Sequence, residues 1–271
     1  MGQERIIHAA LLGAGTVGSG VYKLVKDLEE EIISKTGARL VVDKILVRDT
    51  TKAREGIPSE LLIDRWDEIL NDPQIEIVIE VMGGIRPALT WLEEALRAGK
   101  QVVTANKDLL AEYGEQLFDA AEAGKCDLHF EAAVAGAIPI IRPLRQSLVA
   151  SELTEVMGIV NGTTNYILTR MTEDGMGYEE ALALATKLGY AESDPTADVE
   201  GYDAGRKVAI MASIAFNSNV TFSQVYTEGI THITAEDIRY AKEFGYVIKL
   251  IGMTRLTEGG VEVKEHPMLL P

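Results

Sequence analysis

Residues 6–20 read IIHAALLGAGTVGSG, and that order decides the architecture of the first half of the chain. Ile6 to Leu12 is an apolar run of strand length. Gly13-Ala-Gly-Thr-Val-Gly18 follows without a spacer, and a helical run, VYKLVKDLEEEI, begins at Val21. Strand, glycine turn and helix in that order is the context in which G-x-G-x-x-G spacing carries information. Gly13 permits the tight turn, Gly15 lets a pyrophosphate approach the backbone, and Gly18 lets the helix lie close on the strand. The helix N-terminus then presents its unpaired N–H groups to phosphate.

The next strand, Leu40 to Val47, ends in Arg48-Asp49-Thr50-Thr51-Lys52. In this class of sheet that end lies beside the adenosine ribose, where an acid favours a free 2′-hydroxyl and a base accommodates a 2′-phosphate. Arg48 and Lys52 lean the reading towards NADP(H), and Asp49 leaves NAD(H) open. A third strand, Ile75 to Val81, runs into Met82-Gly83-Gly84, and a helix over Pro87 to Ala98 has proline in its first turn, where a missing N–H is harmless. Gln101 to Thr104 is a short strand ending in Ala105-Asn106-Lys107, before a helix near Asp108 to Ala123 and a strand near Asp127 to Phe130. Strands alternating with helices of this length predict an α/β, Rossmann-like, doubly wound nucleotide-binding domain. Ligands in such sheets gather at the carboxyl ends of strands, so Gly13–Gly18, Gly83–Gly84, Asn106–Lys107 and Glu131–Gly136 are expected on one crevice. The small-residue loop Glu131 to Pro139 offers carbonyls and one carboxylate that suit a hard cation, although an ordinary turn into a helix at Pro139 is the simpler reading. Cys126, the single cysteine, precedes its strand and belongs at the opposite rim, which argues against a thiol nucleophile and against any disulfide framework.

The chain has 271 residues, 46% hydrophobic and 25% charged, enough for one large or two linked domains with a sizeable core. A formal charge of -16 argues against a nucleic-acid or anionic-membrane partner. No apolar run approaches the roughly 20 residues that span a bilayer, and MGQERII lacks a signal-peptide pattern, so the expectation is a cytoplasmic protein.

The rhythm changes after about Leu148, giving expected domains of 1–148 for dinucleotide and 149–271 for an α+β substrate and dimerisation domain. Glu152 to Val160 reads as a strand, and Asn161-Gly-Thr-Thr-Asn165 enters a helix over Tyr166 to Met171 with Thr163 or Thr164 as its cap. Asn161 and Asn165 could instead turn their amides towards a polar substrate. Tyr178 to Leu188 is a helix stopped by Gly189, and GYAESDPTADVEGYDAGRK over 189–207 follows. Pro195 keeps Asp194 outside a helix, which starts at about Ala197 with Val199, Tyr202, Val208, Ile210 and Met211 buried. Asp203 and Lys207 are then one turn apart on a face. Most such pairs are solvated surface pairs, but VAIMASIAF after Lys207 is too apolar for an exposed helix. Buried charge that opens a buried helix points to function. A helix over Thr234 to Phe244 and strands over Tyr246 to Thr254 and Gly260 to Lys264 complete the second half. Together these residues describe a nicotinamide-dependent enzyme whose polar substrate carries an ammonium matched by Glu192, Asp198 and Asp203. Lys207 or Lys107 would move the proton that accompanies hydride transfer, since a desolvated lysine beside other cations can have its pKa lowered into the working range.

Over Ile7 to Pro271 the sequence resembles homoserine dehydrogenase. The resemblance rests on GAGTVG at 13–18, TANK at 104–107, EAAVAGAIP at 131–139, NGTTNYIL at 161–168 and the 189–207 stretch. It implies reversible NAD(P)H-linked reduction of L-aspartate 4-semialdehyde to L-homoserine, on the route to threonine, methionine and isoleucine. By position, Glu192 and Asp203 would hold the substrate amino group with Asp198 nearby, and Lys207 would protonate the carbonyl with Lys107 assisting and touching the cofactor. Thr16 and Val17 would meet the pyrophosphate and Gly189 the nicotinamide side. Glu131 and the carbonyls of Val134, Gly136 and Ile138 match the family's sodium site, and the family's habit of pairing through the second domain implies a homodimer. Family members run on past the segment matching HPMLL, so the resemblance implies that the closing C-terminal segment is lacking and that a chain ending at Pro271 would bind cofactor poorly. Two other readings compete: another oxidoreductase of this fold acting through a thiol on an amino-acid-derived aldehyde, and a non-catalytic nucleotide sensor.

Overall fold

The computed structural model describes residues 5–271. Two compact units divide between Ala133 and Val134, ahead of the boundary after Leu148 drawn from the sequence.

The first unit contains β1 (Arg5–Leu12), α1 (Thr16–Asp27), α2 (Glu29–Thr36), β2 (Ala38–Leu46), β3 (Leu62–Ile63), α3 (Asp67–Leu70) and β4 (Ile75–Glu80). It continues with α4 (Ala88–Arg97), β5 (Gln101–Thr104), α5 (Lys107–Gly124, kinked at Tyr113) and β6 (Leu128–His129). The strands form one parallel sheet in the order β3-β2-β1-β4-β5-β6. That is the doubly wound order, which reverses between β1 and β4 and opens its crevice there. Ala9, Ala10, Leu11 and Leu12 are all fully buried, which is why β1 is an unbroken apolar run: a central parallel strand is covered on both faces. α4 buries Ala88, Leu89, Leu92, Ala95 and Leu96, the one-sided stripe of a helix lying on a sheet. Leu11, Tyr22, Val42, Ile45, Val47, Ile57 and Leu62 make the core beneath α1. Burying one such Leu or Ile fully stabilises by about 1.5–3 kcal/mol.

The second unit opens with a π-helical turn, Pro143–Ser147, and contains β7 (Glu155–Gly158), α6 (Gly162–Asp174), α7 (Tyr178–Lys187), α8 (Thr196–Val199) and α9 (Tyr202–Ala215). β8 (Tyr226–Thr227), α10 (Ala235–Glu243), β9 (Val247–Thr257) and β10 (Gly260–Leu270) follow. The π-helical turn packs on α9, which draws 134–148 into this unit. The sheet order is β7-β9-β10-β8, with β9 and β10 a long antiparallel hairpin and β8 parallel to β10. Ile167, Leu168 and Met171 of α6 meet Ala181, Ala185, Ile238, Ala241, Ile248 and Leu250 in one apolar cluster.

Several expectations shift. The helix placed from Ala197 is two helices, because Gly201 sits at φ 79 and ends the first of them. Tyr202 is exposed rather than buried, its ring edge-on to Phe222 at 6.0 Å. α6 starts at Gly162 with Asn161 as its cap, since the Asn161 side chain accepts from the Thr164 N–H; neither threonine caps it. β7 is shorter than 152–160, whereas β10 reaches Leu270 by pairing along the whole of β9. Among the described residues no helix is long and apolar enough to cross a membrane.

Candidate functional site

In the first unit the glycine turn has the geometry its spacing predicts. Gly13 adopts φ +100, and its N–H donates to Leu46 O at 3.0 Å while Val81 N–H donates to Leu12 O at 3.0 Å, so the turn leaves β1 between β2 and β4. A Cβ on Gly18 would lie 2.1 Å from Gly13 O; only glycine lets α1 start this close to the strand. A Cβ on Gly15 would meet nothing within 4 Å, and no side chain caps α1. Thr16 and Val17 are exposed in its first turn. Open approach to uncapped N–H groups is what a pyrophosphate requires.

At the end of β2, Arg48 and Lys52 are exposed, and neither side chain makes a hydrogen bond or ion pair among the described residues. Asp49 is differently placed: its carboxylate accepts from Thr51 N–H at 2.9 Å and Thr51 Oγ1 at 2.6 Å. Those hydrogen bonds hold its carboxyl below the usual range. The Arg54 guanidinium donates to the carbonyls of Asp49 and Lys52 and shapes the loop.

Gly83 and Gly84 follow β4 at φ 73 and 74, and Lys107 opens α5 half-buried. Sequence reasoning missed what lies between them. Glu80, fully buried, accepts from Met82 N–H at 2.8 Å and Gly83 N–H at 3.0 Å on one oxygen and from Thr104 Oγ1 at 2.6 Å on the other. Asn106 donates to Gly84 O at 2.7 Å and caps α5 by accepting from Leu109 N–H at 3.1 Å. A charged residue ending the apolar strand IEIVIE was the available signal.

In the second unit Asp198, Asp203 and Lys207 converge, and Asn161 joins them. The Asn161 amide nitrogen donates to Asp198 Oδ1 at 2.7 Å and to Asp203 Oδ2 at 2.8 Å. Lys207 Nζ donates to Asp203 Oδ2 at 2.6 Å and to Val160 O at 2.8 Å. Side chains of Lys207 and Asp203 are only 17% and 10% exposed, so this is not the solvated pair of an ordinary helix surface. The hydrogen-bonded neighbours of Lys207 are a carboxylate and a carbonyl, where the sequence reading anticipates other cations. Asn165 turns elsewhere, its amide oxygen accepting from Lys249 at 2.9 Å. Burial lowers the pKa of that lysine.

Glu192 is exposed on the loop after α7 and has no hydrogen bond to this cluster. Gly189, at φ 79, starts that loop, which Thr163 Oγ1 holds by donating to Tyr190 O at 2.8 Å. Beneath α9 lies a second buried acid that sequence reading missed. Glu265 of β10 accepts from Glu228 and Gly229 N–H groups at 3.1 and 3.2 Å, its other oxygen has no partner, and burial pushes its carboxyl up.

Glu131 lies in a single 3₁₀ turn ending the first unit. In the second, Ala135 and Ala137 take left-handed φ of 50 and 68, and Ile138 is exposed beyond Val134 and Gly136. Non-glycine residues at such angles cost about 1–3 kcal/mol each, and strain of this kind gathers at ligand sites. Among the described residues no three His, Cys, Asp or Glu side chains cluster for a metal. Cys126 Sγ donates to Leu96 O at 3.2 Å and burial pushes its thiol up, the setting of an inert cysteine.

Comparison with known proteins places these features in a family. Residues 13–131 match the family model "Homoserine dehydrogenase, NAD binding domain", and residues 139–271 match "Homoserine dehydrogenase". A Bacillus subtilis homoserine dehydrogenase is 47% identical over 268 residues, covering 98% of this chain and 62% of the relative. The crystal structure of a Thiobacillus denitrificans homoserine dehydrogenase superposes with a TM-score of 0.93 at 45% identity, over 98% of this chain and 62% of that one. A Staphylococcus aureus homoserine dehydrogenase at pH 6.0 gives 0.86 at 42% identity, over 98% and 67%. The chain thus spans about 62% of the length of the curated relative it matches.

Proposed function

This chain belongs to the homoserine dehydrogenase family, and on that premise we propose that it interconverts L-aspartate 4-semialdehyde and L-homoserine with NADP(H), NAD(H) being the alternative. The observation that carries the reading is the convergence of Asp198 and Asp203 on the Asn161 amide, with Lys207 donating to Asp203.

The residues present fit a dinucleotide. Gly13, Gly15 and Gly18, with the N–H groups of Thr16 and Val17, would cradle its pyrophosphate. Arg48 and Lys52 would flank a 2′-phosphate, a preference supported by Asp49 being engaged by Thr51. Gly83, Lys107 and Gly189 are assigned to the nicotinamide half. When bound, the reduced nicotinamide supplies the hydride.

Asp198 and Asp203, with Glu192 from its loop, would hold the substrate ammonium. An ammonium has three N–H donors, and Lys207 gives two of them to Asp203 and Val160 O. The third is left to protonate the carbonyl oxygen as hydride arrives, and in the reverse direction the amine takes that proton back. Lys107 assists. Asn161 donates to each carboxylate and so fixes where they face the ammonium.

We propose further that Glu131 and the carbonyls of Val134, Gly136 and Ile138 take a sodium ion, a reading supported by the strained Ala135 and Ala137. A homodimer through the second unit's sheet is supported by Met157 and Tyr226, exposed apolar side chains that the strand register puts on one face. The reading places the enzyme in the cytoplasm, in threonine, methionine and isoleucine biosynthesis.

The test is oxidation of NADPH with aspartate semialdehyde. Lys207→Ala is expected to lower kcat by about 10²–10⁴-fold, the worth of a positioned proton donor, and to leave NADPH affinity unchanged. Undiminished turnover in that variant would overturn the assignment of Lys207. Nucleotide binding without turnover in the unaltered chain would favour a sensor.

A further inference from the structure

We propose that Glu80 is a positioning residue that locks the turn after β4 to the start of α5 and so sets the nicotinamide half of the cofactor site; this rests on the cofactor reading above. Glu80 is completely buried at the last position of β4, and a buried carboxylate persists only when hydrogen-bond donors surround it. Here the donors come from two different segments, the turn after β4 and the end of β5. One oxygen takes the N–H groups of Met82 and Gly83; the other takes the Thr104 hydroxyl. Thr104 Oγ1 in turn accepts from Asn106 N–H at 3.0 Å, one residue before Lys107. Asn106 closes the circuit by donating to Gly84 O and capping α5.

The turn is thus tied to the helix start at both of its ends. It also borders the glycine turn, since a Cβ on Gly13 would meet Met82 atoms at 3.2–3.3 Å. Only a group with two acceptor oxygens serves both segments. Glutamine presents one acceptor and two donors, so it keeps the Met82 and Gly83 bonds and points a donor where the Thr104 hydroxyl needs an acceptor. The adenosine half, built on β1, α1 and the end of β2, does not use this circuit.

The experiment measures binding of NADPH and of the half-cofactors 2′,5′-ADP and ADP to the full chain and to Glu80→Gln, Thr104→Val and Thr104→Ser. Glu80→Gln is expected to weaken NADPH about tenfold, the worth of a displaced hydrogen bond or two. Half-cofactors should stay within about twofold, kcat should fall, and KM for the semialdehyde should hold. Thr104→Val, a milder change should Glu80→Gln fail to fold, is expected to act in the same direction, and Thr104→Ser, which keeps the hydroxyl, to restore binding. Unchanged NADPH affinity in folded Glu80→Gln and Thr104→Val overturns the proposal, as does equal weakening of NADPH and the half-cofactors. An unaltered chain that binds none of these nucleotides removes the cofactor reading and this inference together, a distinct result.

Discussion

Replacing Asn161 by aspartate separates its two jobs. Aspartate caps helices as well as asparagine does, so the bond from Thr164 N–H, 2.8 Å in the native chain, should survive in Asn161→Asp. The two bonds donated to Asp198 and Asp203 at 2.7 and 2.8 Å cannot survive, because the donor nitrogen becomes an acceptor. Hydrogen bonds to charged groups are each worth about 1.5–3 kcal/mol, which puts the loss of two at about 3–6 kcal/mol at pH 8. Three neighbouring carboxylates also raise the proton affinity of the set. The folded variant then binds more protons than the unfolded chain, and its stability falls as pH rises. At pH 5 a protonated carboxyl regains one O–H donor, and the deficit should shrink to about 1.5–3 kcal/mol, the worth of the one bond still missing. Urea titrations of the native chain, Asn161→Asp and Asn161→Ala at both pH values read this directly. The alanine variant, lacking cap and donor alike, should be weakened at both with little pH dependence. An aspartate variant as stable as the native chain at pH 8, or equally weakened at both, would refute the reasoning.

Two further outcomes are expected. Glu265 has a carboxyl pushed up by burial, so its contribution to stability is full below the unfolded value of about 4.3 and is lost as pH rises through the raised folded value. Glu265→Gln should remove that slope and gain on the native chain between pH 4.5 and 8 in denaturation midpoints; parallel pH curves would refute it. Arg48→Ala should weaken NADPH by about tenfold or more and NADH far less, since a guanidinium–phosphate pair is a charge-assisted contact. Equal losses in titrations of the two cofactors would exclude a 2′-phosphate role for Arg48.

The glycine turn was legible from the start because each of its glycines answers a local steric demand that spacing alone encodes. Strand positions in the first unit were legible for a similar reason: a parallel sheet covered on both faces writes itself as apolar runs. The Asp203–Lys207 pair could be read from helical periodicity. Its partners could not, because Asn161 lies 42 positions from Asp203 and meets it only through tertiary packing. Glu80 and Thr104 were hidden likewise, being 24 positions apart and joined by adjacent strands. Tyr202 was misplaced because periodicity was continued across Gly201, where the helix phase is reset. β10 was cut short at Lys264 because the His-Pro after Glu265 breaks the alternation of apolar residues, while the hairpin partner keeps the strand extended.

That reset at Gly201 has a geometric corollary. On an unbroken α-helix, residues 198 and 203 would be about 140° apart around the axis and could not both reach one amide. A left-handed joint between two short rods turns them onto a common point, and the space for it is filled from below: a methyl group on Gly201 would lie 2.1 Å from Glu265 Oε2. Transplanting this constellation to another scaffold would therefore require the joint and its acidic floor, since copying the four side chains onto a straight helix would scatter them.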